Sequence, residues 1–212
     1  MNNSHKGVVV ISAGVAGIGL ACARALKFEG YLVLSLDIDK SAVRAYCNEF
    51  GKASAITCDL SDPSEVEQAY KYLMHSVESL DVLINNVGIA GPQQPLEEIE
   101  IKAWQQKIDT DLNSFFYLTR MAIPRMKQQR SGLIINMSSS AGRQGCALRS
   151  PYVAAKWAAI DLSKTWAMEL GAWKIRVNAL CPGSVIGDRI ERVIQRDSEN
   201  RGIPPEEIRN AY

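Results

Sequence analysis

The chain has 212 residues, 47% hydrophobic and 22% charged, with 24 lysines and arginines against 23 aspartates and glutamates for a formal net charge of +1. That length fits one domain with a full-sized core, and the apolar content excludes a largely disordered chain. The near-neutral balance removes the electrostatic case for a nucleic-acid or anionic-membrane partner, and no apolar run reaches the length of a membrane span.

The start, MNNSHKG, carries no signal-peptide pattern, so a soluble, cytoplasmic protein is expected. Short apolar runs at 8–11, 32–36, 54–58, 82–84, 133–137 and 175–180 then read as strands. They are β-branched or Leu-rich and nearly continuous in apolar character, as expected when both faces of a sheet are covered. Helical period fills the intervals. Ile18, Cys22, Ala25 and Leu26 share one face, and Val66, Ala69, Tyr70 and Leu73 another. Further helices are predicted over 40–50, over 96–127 with a break, and over 152–170. Parallel strands need crossover connections, so repeated β-α units predict an α/β, doubly wound parallel sheet of Rossmann-like form in a single domain spanning 1–212. Residues 184–212 are polar and densely charged; they read as a helix near 188–199, a Gly-x-Pro-Pro break and a second helix start.

The first strand ends in Ser12-Ala13-Gly14-Val15-Ala16-Gly17-Ile18-Gly19, with a helix following at once. Glycines belong there if the backbone must turn tightly and approach a pyrophosphate, whose charge then meets free N–H groups at the helix N-terminus. Asp37 closes the second strand, 18 positions after Gly19, where a carboxylate can accept hydrogen bonds from an adenosine ribose. It would also repel a 2'-phosphate, and no Arg or Lys lies between Gly14 and Gly19 or directly after Asp37. NAD is therefore expected over NADP. The five cysteines, Cys22, Cys47, Cys58, Cys146 and Cys181, are scattered with no C-x-x-C pair, and His5 and His75 stand apart from other ligand types. They read as packers and bystanders; no metal site, disulfide framework or Ser-His-Asp triad is expected.

Five elements in order resemble the short-chain dehydrogenase/reductase family over Gly7 to about Ser184. The glycine loop is similar to the family's T-G-x-x-x-G-x-G, with Ser12 for Thr and Ala13 for the first Gly. Asp59, followed by Leu60, matches the acidic residue set against the adenine. Asn85-Asn86-Val87-Gly88 is similar to N-N-A-G. Ser139 stands 13 residues before Tyr152 in Tyr152-Val-Ala-Ala-Lys156, the Y-x-x-x-K signature, and Asn178 with Pro182-Gly183 matches the segment after the sixth strand. The resemblance implies cofactor contacts by Ser12, Gly14, Gly17, Ile18, Gly19, Asp37, Asp59, Leu60, Asn86, Gly88, Tyr152, Lys156, Pro182 and Gly183. It also implies a catalytic set of Ser139, Tyr152, Lys156 and the residue at 111, and a substrate lid over residues 184–212. There the chain departs from the family: Asp111 stands where an Asn is usual, able to pair with Lys156 or to keep the helix bent. Asn113, about 200° around a helix, cannot substitute for it. Ala13 departs likewise, and Gly14 is expected to supply the flexibility of the turn.

Tyr152 and Lys156 are one helical turn apart and share a face. A free phenol loses its proton at about pH 10, and a neighbouring ammonium favours the phenolate. The pair is therefore a candidate general acid/base, with Ser139 hydrogen-bonded to the substrate oxygen. The expected activity is NAD-dependent interconversion of a secondary alcohol and a ketone. Two rivals stay open: an epimerase or dehydratase with tightly held NAD, and a non-catalytic dinucleotide-sensing protein. Arg143, Arg149, Arg189, Arg192 and Arg196 around the pocket mouth suit an anionic substrate, although the interleaved Glu191, Asp197 and Glu199 make a solvated amphipathic lid the simpler reading. The resemblance further implies a homodimer or homotetramer through the helices of 96–127 and 152–170, where Phe115, Phe116, Met121, Trp157 and Trp166 are either interface or core. It implies a seventh strand as well, missing here, so the sequence is expected to be the ordered part of a longer chain.

Overall fold

The runs at 8–12, 32–37 and 82–85 become strands because their alternate side chains find a helix layer on either side, whereas the run at 175–180 lies at the sheet edge with Arg176, Asn178 and Leu180 exposed, so double covering does not hold there. In the computed structural model, which describes residues 5–210, the strands are β1 (Val8–Ser12), β2 (Leu32–Asp37), β3 (Ala55–Thr57), β4 (Val82–Asn85), β5 (Gly132–Met137) and β6 (Ile175–Leu180). They form one sheet in the order β3-β2-β1-β4-β5-β6, with every neighbouring pair parallel. The helices are α1 (Gly17–Phe28), α2 (Lys40–Phe50), α3 (Pro63–Met74), α4 (Ile101–Ile108), α5 (Ser114–Gln129), α6 (Ser150–Leu170), α7 (Asp188–Arg201) and α8 (Pro205–Arg209). Val9 and Ile11 of β1 join Ala23, Val33, Val43 and Tyr46 in one apolar layer. Val8 and Val10 face the opposite layer with Leu83, Phe115, Leu118 and Ile134.

The chain runs outward from β1 through β2 to β3, then returns to place β4 beside β1. That reversal opens a crevice at the carboxyl ends of β1 and β4, the usual ligand position in a doubly wound sheet. Below it lies a buried polar chain. Asn85 donates to the Thr119 hydroxyl at 3.0 Å and to Asn136 at 2.8 Å, and Asn136 donates to the Ser163 hydroxyl at 2.9 Å. These bonds tie β4 and β5 to α5 and to α6, the helix that carries Tyr152 and Lys156.

Several boundaries differ from expectation. The helix expected from residue 96 opens as a single 3-10 turn (Leu96–Glu98), and extended backbone at Ile99 and Glu100 delays α4 until Ile101. The break is a π-helical segment, Asp109–Asn113, between α4 and α5. The helix expected from 152 begins at Ser150, with Pro151 in its first turn where its missing N–H costs nothing. Phe115 and Trp166 are core, Met121 is half-buried, and Phe116 and Trp157 are 51% and 45% exposed. Burial pushes the Cys58 thiol up to about 12 and the Cys22 thiol upward, so neither is poised as a thiolate. Among the described residues no helix is long and apolar enough to cross a membrane.

Candidate active site

The glycine loop is locked to β4 by reciprocal bonds. The Ser12 hydroxyl accepts from the Asn86 and Val87 amides at 2.9 and 3.0 Å, and the Asn86 side chain donates to the Ser12 and Ala13 carbonyls at 3.1 and 3.0 Å. Gly19 sits against this lock: a Cβ there would lie 2.2 Å from the Ala13 oxygen. The turn departs from the expectation that Gly14 supplies its freedom. Ala13 itself is left-handed at φ 52°, whereas Gly14 is needed for space, its Cβ position being 2.7 Å from the Ser35 hydroxyl. The loop closes because Ala13 N–H donates to Leu36 O at 2.8 Å and Gly14 N–H to the Ser35 hydroxyl at 3.0 Å. Asp39 and Asp62 cap α2 and α3, but Ala16 at the start of α1 brings no capping side chain, and Gly17 there is surrounded by open space.

Asp37 ends β2 nearly buried, and burial pushes its carboxyl above the ordinary range against a bond from the Asp39 amide at 3.0 Å. A carboxylate so desolvated gains from further donors such as paired hydroxyls. Asp59 is half-buried and already engaged, accepting from Ser61 N–H at 2.9 Å and its hydroxyl at 2.7 Å, while the Leu60 side chain belongs to the core.

Tyr152 and Lys156 are both buried on α6, with Lys156 Nζ 5.9 Å from the centre of the Tyr152 ring and donating to Met137 O at 3.0 Å. Ser139 follows β5, and its hydroxyl accepts from Ala141 N–H at 3.2 Å. Its loop is held close to α6 because Gly142 has no side chain; a Cβ there would lie 2.7 Å from Lys156 O. Ser140 N–H donates to Pro182 O at 2.9 Å, so Pro182 and Gly183 border the same loop, whereas Asn178 is exposed on β6. Asn113 pairs with Asp109 at 2.7 Å and takes no part here.

Asp111 is fully buried in the π-helical segment, with Oδ1 accepting from Ile89 N–H at 2.9 Å and Oδ2 3.4 Å from Lys156 Nζ. The sequence reading missed its other partner. Lys107, 0% exposed, places Nζ 2.5 Å from Asp111 Oδ2, 2.5 Å from Ile89 O and 4.5 Å from the Tyr152 ring centre. Burial, helped by the Lys156 and Arg189 charges, pushes Lys107 down, and Asp111 opposes that shift. Its spacing of four from Asp111 was the available signal. The five arginines separate. Arg149 is 8% exposed and stacks 4.0 Å from the Tyr152 ring centre. Arg189 donates to Gly88 O and Ile89 O at 3.2 and 3.1 Å, Arg196 reaches Gly91 O, and Arg143 and Arg192 are exposed.

A dinucleotide fits these residues. Gly17 faces open space where a side chain would intrude, the first turn of α1 offers uncapped amides to a phosphate, and Asp37 is a buried carboxylate at the end of β2. The model of the short chain dehydrogenase family matches residues 7–197. A D-beta-hydroxybutyrate dehydrogenase of Rhizobium meliloti is 33% identical over 207 residues, 95% of this chain and 80% of that protein. An actinorhodin polyketide ketoreductase solved with NADPH matches with TM-score 0.89 at 28% identity, over 97% of this chain and 80% of its own. An NAD+-bound xylitol dehydrogenase matches with TM-score 0.87 at 25% identity, over 92% and 77%.

Proposed function

The chain belongs to the short chain dehydrogenase family, whose members act on hydroxyl and keto groups, and from that premise we propose that it interconverts a secondary alcohol and a ketone with NAD as cofactor. The observation that carries the reading is the buried Tyr152–Lys156 face of α6 set beside the Ser139 loop. A nicotinamide dinucleotide held by the glycine loop, Asp37 and Asp59 supplies the redox chemistry; the chain's own residues position the substrate and move its proton. In alcohol oxidation Tyr152 Oη takes the hydroxyl proton, and in ketone reduction it returns one to the same oxygen. Lys156 keeps positive charge beside that phenol and stays anchored on Met137 O. The Ser139 hydroxyl donates to the substrate oxygen and steadies its developing charge.

NAD is favoured by the single carboxylate at Asp37 and by the lack of a cation between Gly14 and Gly19. For the substrate's second group, Arg149 is the residue to bet on. It is buried beside Tyr152 and forms no salt bridge among the described residues. A hydroxy acid whose carboxylate meets that guanidinium is the class proposed, in keeping with the hydroxybutyrate of the Rhizobium meliloti relative's name. α7 acts as the lid, tied to the loop after β4 through Arg189 and Arg196. Phe116 and Trp157 mark the face for a homodimer or homotetramer.

NADH absorbance with a panel of hydroxy acids and uncharged secondary alcohols tests this, with NADP run in parallel. Turnover with NAD, lost in Tyr152→Phe, is expected. Arg149→Ala is expected to raise KM for the acids and leave the uncharged alcohols unchanged. NADH binding with no turnover on any compound would favour a sensor, and substrate inversion or dehydration without net NADH would favour an epimerase or dehydratase.

A further inference from the structure

Three charges meet without solvent beneath Tyr152. Asp111 Oδ2 is shared between Lys107 at 2.5 Å and Lys156 at 3.4 Å, all three side chains being almost fully buried. Left with Lys156 alone, the Asp111 carboxylate would make a neutral pair and cancel much of the field that the phenol feels. With Lys107 protonated, the cluster carries one net positive charge. The Lys107 ammonium is also the nearer of the two lysines to the Tyr152 ring, at 4.5 Å against 5.9 Å, and the Arg149 guanidinium, common to all the variants below, stacks on the same ring at 4.0 Å.

The surroundings are shaped to this side chain. Gly91, at φ 72°, leaves room for the Lys107 stem, since a Cβ there would lie 3.0 Å from its Cδ. A Cβ on Gly88 would lie 2.7 Å from Asp111 Oδ2 and 3.4 Å from Lys156 Nζ. The Ile89 carbonyl accepts from both Lys107 and Arg189, and its N–H holds Asp111 Oδ1. Charged groups face Lys107 from three elements: Asp111 on its own helical run, Lys156 on α6 and Arg189 on α7, with Tyr152 of α6 presenting its ring. A buried ion pair is a poor way to gain stability, because apolar residues of similar volume usually serve as well or better.

We propose that Lys107 is a positioning residue of the Tyr152–Lys156 pair: linked to Lys156 through the shared Asp111 oxygen and packed over the Tyr152 ring, its ammonium restores the positive charge that Asp111 would otherwise cancel beside the phenol. This rests on Tyr152 being the acid/base, and the test separates the two claims.

Four proteins are compared: the parent, Lys107→Met, Asp111→Asn and the double variant. Each has a Tyr152→Phe counterpart, so that phenolate absorbance belonging to Tyr152 is read as a difference, without cofactor or substrate. The second readout is the acid limb of the kcat/KM profile for alcohol oxidation. Lys107→Met is expected to move both to higher pH, on the order of one unit, which is about a tenfold loss of kcat/KM at a fixed pH below the limb. KM for NAD stays near the parent value. Adding Asp111→Asn is expected to move both back, and Asp111→Asn alone moves neither upward.

An unmoved absorbance profile in Lys107→Met, or a double variant displaced as far as the single one, overturns the proposal and leaves Lys107 a packing residue. Should Lys107→Met not fold, Lys107→Gln is read in its place against the same criterion. If the parent turns over no substrate, the absorbance still decides Lys107 and the assignment of activity fails by itself.

Discussion

Replacing Gly19 by alanine builds a Cβ 2.2 Å from the Ala13 carbonyl oxygen and 2.7 Å from the Asn86 side-chain amide. Neither neighbour can step aside cheaply. The Ala13 carbonyl is backbone, and the Asn86 amide spends its donors on Ser12 O and Ala13 O at 3.1 and 3.0 Å. One carbon forced into such a site costs about 1–3 kcal/mol. The strain is relieved by pushing the first turn of α1 off the loop, so the amides that would hold a phosphate lose their aim. At about 1.4 kcal/mol per tenfold, the NADH dissociation constant should rise by up to roughly 5- to 140-fold. The assay is a fluorescence titration with NADH, paired with thermal unfolding of the free protein, whose midpoint should fall by roughly 2–12 °C for a chain of this size. NADH affinity within twofold of the parent and an unchanged midpoint would refute the close-approach reasoning.

Ala13→Gly should stabilise the free protein by about 0.5–1 kcal/mol, since relief of a left-handed alanine at φ 52° outweighs the added freedom of the unfolded chain; denaturant titration reads this. Arg189→Ala removes two bonds to the Gly88 and Ile89 carbonyls and should speed limited proteolysis within 184–212 without lowering the global unfolding midpoint.

The strands and the Tyr152–Lys156 face were legible in the sequence because their logic is periodic: apolar runs, covered on both sides in the interior of the sheet and on one side at its β6 edge, and two reactive residues one turn apart. The glycine loop was legible for a related reason, as backbone geometry there admits few residues. What escaped was tertiary. A lysine on an amphipathic helix ordinarily faces water, and Lys107 is buried because the loop after β4, with Gly91 and Ile89, folds over it. Arg149 and Arg189 carry the same charge, yet one stacks on Tyr152 and the other serves backbone carbonyls. Ala13 shows the opposite limit. A glycine was expected to carry the turn, but the bonds of Ser12, Asn86 and Leu36 hold alanine in the left-handed region. The π-helical segment was read as a break with no type, because one extra residue in a helical turn leaves the apolar period nearly intact.

The account turns on Tyr152 moving the proton of a secondary alcohol. The most direct measurement is the rate of NADH formation from hydroxy-acid and alcohol substrates in the parent and in Tyr152→Phe, which removes one oxygen from a buried ring and keeps its packing. Turnover is expected in the parent and a loss of at least about a hundredfold in the variant, about 2.7 kcal/mol of barrier, with NADH binding unchanged. Equal turnover in the two proteins would contradict it.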